Sequence, residues 1–100
     1  MISKNEFINR IRLLKSFKSK TGRASYSDLK LEGNILSFKR DNTNLNWKLN
    51  IDNAYLAYTK EDYLDTVVLK KYGTGRVYSP TLGLLMMTGL CDGKGIRKDK

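Results

Sequence analysis

The residues "LKLEGNILSFKRDNTNLNWKLNI", Leu29 to Ile51, are the most informative in the chain. Apolar side chains alternate with polar ones in three runs: Leu29 and Leu31, then Leu36 and Phe38, then Leu45, Trp47, Leu49 and Ile51. A period of two belongs to half-buried strands. Between the runs, "EGN" (Glu32–Asn34) and "DNTN" (Asp41–Asn44) are rich in residues that tolerate left-handed or side-chain-bonded backbone, so they read as turns. Short turns make neighbouring strands antiparallel, and the middle of the chain is therefore expected to be a three-stranded meander.

Helical periodicity flanks this meander on both sides. Phe7, Ile11 and Leu14 recur at helical spacing from Ser3 to Phe17, with Ile8 and Phe17 near the same side. Ser3 is a predicted N-cap, and Glu6 three residues on completes a capping box. Beyond Asp52 the alternation stops, and "NAYLAY" reads as either a short helical turn or an irregular link. Thr59 as N-cap, acids at Glu61 and Asp62, and an apolar stripe of Tyr63, Leu64, Val67, Val68 and Tyr72 predict a second helix over Lys60–Tyr72. Ser79 and Pro80 predict a last, largely apolar helix over Pro80–Thr88, ending at Gly89. Gly83 inside it is unfavourable unless another element packs closely there.

The expected class is thus α+β: an N-terminal helix, a three-stranded antiparallel meander, and two C-terminal helices on one sheet face. One hundred residues suffice for one domain, assigned to 1–90, with 91–100 read as a flexible basic tail. The longest apolar patch, "LGLLMM", is far too short to cross a bilayer, and one cysteine permits no intramolecular disulfide. A cytoplasmic location is the natural expectation.

Chemistry is constrained by what the chain lacks. Histidine is absent, which removes the commonest general base and metal ligand, and no nucleophile or phosphate-loop motif is present. No catalytic residue, metal site or cofactor is expected. The only acidic cluster, Asp52, Glu61, Asp62 and Asp65, has no ligand-like spacing.

The charge points elsewhere. Nineteen Lys and Arg stand against ten Asp and Glu, and between Phe7 and Ser27 six cations occur with no acid. Such a balance favours polyanionic partners. Arg12, Lys15, Lys18, Lys20, Arg23 and Arg76 are the expected phosphate contacts. Lys30, Lys39, Asn46 and Lys48 fall on the polar side of the predicted strands, joined there by Tyr26, and are the expected base contacts, because Lys pairs with guanine and Asn with adenine in the major groove. With only Tyr26 placed for stacking, duplex DNA is favoured over RNA.

One repetition stands out. "KTGRASYS" (Lys20–Ser27) and "GTGRVYSP" (Gly73–Pro80) both follow Thr-Gly-Arg closely with Tyr-Ser. Glycine lets backbone N–H groups approach an anion and Arg can grip a phosphate, so each copy is a candidate phosphate contact. A helix-turn-helix built on the two C-terminal helices is disfavoured, because the Gly73–Ser79 link is too long and the last helix lacks base-reading side chains. The alternative to nucleic acid is a protein-interaction module, such as an inhibitor or accessory subunit encoded by a mobile element, whose basic patch meets an acidic protein. Nothing in the sequence indicates an oligomeric state.

Overall fold

The computed structural model describes residues 2–43, 45–73 and 77–98. Helix α1 (Lys4–Leu13) starts as predicted: the Ser3 hydroxyl accepts the Glu6 N–H at 3.1 Å. Phe7 and Ile11, one turn apart, are fully buried. The helix ends four residues before the expected Phe17. Phe17 and Lys18 instead form a short edge strand, β1, in which the Phe17 ring stacks on Tyr26 at 4.9 Å and meets Phe38 edge-on at 5.2 Å. Helical spacing from Ile11 and Leu14 cannot distinguish that aromatic cluster from one more helical turn.

Strands β2 (Ser25–Glu32), β3 (Ile35–Arg40) and β4 (Asn46–Asn50) follow, and with β1 they make a four-stranded antiparallel sheet in sequential order. The class is α+β, with one strand more than the sequence predicts. Leu36 pairs with both Leu31 and Leu49, which sets their side chains on one face. Leu36, Phe38 and Leu49 pack there with Phe7 and Ile11 of α1 and with residues of the later helices to form the core. Leu45, expected to face the helices, precedes β4 and is exposed.

A bulge corrects a second expectation. Ser27 pairs with Lys39 but Lys30 with Ser37, so β2 spends three steps where β3 spends two. The extra residue sits next to Asp28, whose φ of 55° is left-handed backbone. One added residue inverts the side-chain parity of everything beyond it. Tyr26 therefore leaves the polar face assigned to it and enters the core, where only 3% of it is exposed.

After β4 the chain turns directly into helix α2 (Ile51–Lys60), capped by the Asn50 side chain on the Asp52 N–H. Ile51, Ala54, Ala57 and Tyr58 form its buried stripe, so the ambiguous "NAYLAY" is fully helical and the strand expected to run to Ile51 ends at Asn50. Thr59 lies inside α2, its hydroxyl donating back to the Leu56 carbonyl, rather than capping a new helix. The predicted Lys60–Tyr72 helix shrinks to α3 (Thr66–Lys70), capped by Asp65 on the Val68 N–H at 2.8 Å. The residues before it are extended because Tyr63 bridges to Ile96 and the Leu64 N–H donates to the Gly95 carbonyl.

Helix α4 (Tyr78–Met87) is buried over Pro80–Leu85, with Ser79 inside its first turn rather than capping it. Gly83 lies against the backbone of Lys18 and Ser19, the close approach that its place in a helix implies. From Cys91 to Lys98, the part of the expected flexible tail that is described, the chain packs on the domain. Cys91 is buried, and the Arg97 guanidinium donates to the carbonyls of Tyr58 and Thr59 at the end of α2, where a cation complements the helix dipole. Among the described residues no helix is long and apolar enough to cross a membrane.

Candidate functional site

Because the core claims one face of the sheet, strand parity assigns the other to polar side chains. Its cross-strand rows follow from the register: Lys30, Ser37 and Lys48 in one, Ser27, Lys39 and Asn46 in the next, and Lys18 beside Ser25 at the β1 edge. Strands lie about 4.8 Å apart, so Lys30 and Lys48, flanking Ser37, stand on the order of 10 Å apart at their backbones. Lys30, Lys39, Asn46 and Lys48 line a shallow groove of about 540 Å³. All four sequence-predicted base contacts thus share one surface, together with Lys18 from the phosphate set.

The electrostatics of this face are uneven. Lys39 pairs with Asp28 at 3.7 Å, across the bulge. Among the described residues Lys18, Lys30 and Lys48 make no ion pair, and all three are exposed. Ser27 donates to Asp41, which ties that carboxylate down beside the β3–β4 turn. Tyr26, the aromatic expected on this face, has moved to the core, and Phe38 and Trp47, which border the groove, belong to the core-facing parity of β3 and β4.

The other predicted phosphate contacts are dispersed. Lys20 and Arg23 are exposed on the tight β1–β2 turn, closed by the Ser19 N–H to the Ala24 carbonyl at 3.0 Å and by Gly22 at φ 75°. Lys15 is exposed in the link before β1. Arg12 belongs to the helix layer, where it lines a small groove with Leu29 and Leu31, on the side of the sheet away from the lysine rows. Arg76 lies outside the described residues.

The acidic cluster is dissolved by the fold. Asp52 pairs with Lys4 and accepts from the Asn34 amide, and both contacts hold its carboxyl below the usual carboxylate range. Glu61 accepts the Tyr72 hydroxyl, Asp65 caps α3, and Asp62 faces Arg97 at 3.7 Å. Among the described residues no group of three carboxylates or thiols could hold a metal ion.

Sequence reasoning passed over Arg40 and Trp47 as site residues; they line a second cavity with Thr21 and Arg23 of the β1–β2 turn and with Tyr78 and Ser79 of the second repeated stretch. Arg40 follows Phe38 at a spacing of two, so its face was legible from β3 alone. Its neighbours in that cavity come from β4, the β1–β2 turn and α4, and their meeting depends on tertiary packing. Comparison with protein-family models, curated proteins and solved structures finds no match to this chain.

Proposed function

We propose that this protein binds duplex nucleic acid, DNA in preference to RNA, through the solvent-facing side of its sheet. One observation carries the reading: Lys18, Lys30, Lys39 and Lys48, with Asn46, occupy a single face free of core packing. Strands presenting such side chains can enter the major groove, where Lys and Asn read base edges. Lys20 and Arg23, on the turn beyond the sheet, would neutralise flanking phosphates. The absence of aromatic side chains from the lysine rows favours a duplex over single-stranded RNA, which sheet-based readers hold by stacking. The reading involves no catalytic step and no cofactor.

Fluorescence anisotropy with labelled duplex DNA, single-stranded DNA and duplex RNA across a salt series tests it. Duplex DNA should bind tightest, with log affinity falling linearly against log salt by about 0.9 per phosphate neutralised. Lys48→Ala and Lys18→Ala should each weaken binding, and whichever lysine meets a phosphate should lower the slope by about one. Binding to none of the three near physiological salt would overturn the reading and turn the search to an acidic protein partner.

A further inference from the structure

The described parts of the two repeated stretches meet in space. Thr21 and Arg23 from the first copy, and Tyr78 and Ser79 from the second, line one cavity of about 250 Å³ between the β1–β2 turn and the start of α4. Arg40 and Trp47 complete it from the core-facing side of β3 and β4. This is too small for a drug-sized molecule and suits one compact headgroup.

We infer that this cavity binds a phosphomonoester. Among the described residues its lining includes two guanidinium groups and no carboxylate. Among the described residues neither Arg23 nor Arg40 makes an ion pair, and Asp41, next to Arg40 in the chain, is engaged by Ser27 on the opposite face of the sheet. The Arg40 Nε–H and the Trp47 indole N–H are both buried with no acceptor among the described residues. Buried donors are nearly always paired, and a charged one all the more, so two unpartnered donors on residues of one cavity lining favour an acceptor bound there. A phosphate monoester brings three acceptor oxygens and close to two negative charges at neutral pH. Arg holds such a group bidentately, and the Thr21 and Ser79 hydroxyls stand on the same wall. Lys70 adds positive charge behind that wall, its Nζ 4.4 Å from the centre of the Tyr78 ring.

The cavity opens on the core-facing side of the sheet, away from the lysine rows. It shares Arg23 with the duplex reading but none of the lysines of the sheet face, so the free monoester, not the duplex, is its readout. The monoester could be a free nucleotide's or a strand's 5′ end, and the chemistry is common to both.

Trp47 is the only tryptophan in the chain, so its fluorescence reports directly on the site. The intact protein is titrated with inorganic phosphate and with a nucleoside 5′-monophosphate. Oligonucleotides identical except for a 5′-phosphate or 5′-hydroxyl form the second arm. Saturable change with phosphate and the mononucleotide is expected, weakened at least about tenfold by Arg40→Gln and by Arg23→Gln. Arg23 is exposed, so its variant keeps the test decisive if Arg40→Gln fails to fold. Lys30→Gln with Lys48→Gln should leave the phosphate titration unchanged. Tighter binding of the phosphorylated oligonucleotide supports the site and identifies a strand end as the source. A response to free monoester alone supports it as a small-molecule site. No saturable response at millimolar phosphate, with the two oligonucleotides bound equally, overturns the inference and leaves the duplex reading standing.

Discussion

Substituting alanine at Gly83 should damage this fold more than any other single methyl group on α4. An added Cβ would overlap the Lys18 carbonyl oxygen and lie 2.9 Å from its carbonyl carbon and 3.0 Å from Ser19 Cα. Carbon atoms pack at about 3.5 Å or more, so α4 and β1 must separate by at least about 0.6 Å on the carbons alone. The obstacle is backbone on both sides, and no side chain can swing away to relieve it. Overpacking of this kind costs about 1–3 kcal/mol, here at the upper end, against about 1 kcal/mol gained from the better helix propensity of alanine. A net loss of about 2 kcal/mol lowers the melting temperature of a domain this size by roughly 10 °C. Urea unfolding followed by circular dichroism and by Trp47 fluorescence measures it. Gly93→Ala is the control, because nothing lies within 4 Å of its added methyl and its φ is not left-handed; it should fall within about 0.5 kcal/mol of the parent. If Gly83→Ala is as stable as Gly93→Ala, the contact of α4 with β1 is not as close as described. The position of the Arg23 turn, which β1 carries, would then need revision as well.

Two further outcomes follow from the ionisable groups. Burial, reinforced by the Asp92 charge, pushes the Cys91 thiol up to about 11, so alkylation at pH 8 should be slow in the native protein and rapid in denaturant; equal rates would contradict its burial. Asp92 is held below the usual carboxylate range by the Ile96 and Lys94 N–H groups, and Asp52 by Lys4 and Asn34. A depressed folded pKa contributes stability above the unfolded value of about 3.9, and that contribution is lost as pH falls through the folded one. Urea midpoints measured from pH 6 downward should therefore drop below about pH 4, and less steeply in Asp52→Asn with Asp92→Asn.

Local signals in the chain were sufficient for the start of α1 and for the faces of β3 and β4, though not for the caps read at Thr59 and Ser79. The Ser3 cap needs only a hydroxyl three residues before an N–H, and it forms as read. Alternation in Leu36–Phe38 and Trp47–Leu49 sets two strand faces without reference to the rest of the molecule, and it places Lys39, Asn46 and Lys48 together. Gly83 inside an apolar helix announced a close neighbour. The identity of that neighbour was not in the sequence, because β1 is two residues long and carries no periodicity of its own.

Tertiary structure decided the rest. Phe17 satisfies a helical stripe and a strand equally well, and the ring cluster with Tyr26 and Phe38 selects the strand. The bulge at Asp28 moves Tyr26 across the sheet by one residue of register, a change invisible in composition. The length of α3 is cut by pairing of Tyr63 and Leu64 with residues more than thirty positions away. The repetition was legible, but the meeting of Thr21 and Arg23 with Tyr78 and Ser79 at one cavity beside Arg40 and Trp47 required α4 to dock against β1. The sequence by itself determined the faces of β3 and β4, charge and one helix cap, because each depends on neighbours along the chain; which distant groups share a cavity depends on how the layers pack, and only the folded molecule decides that.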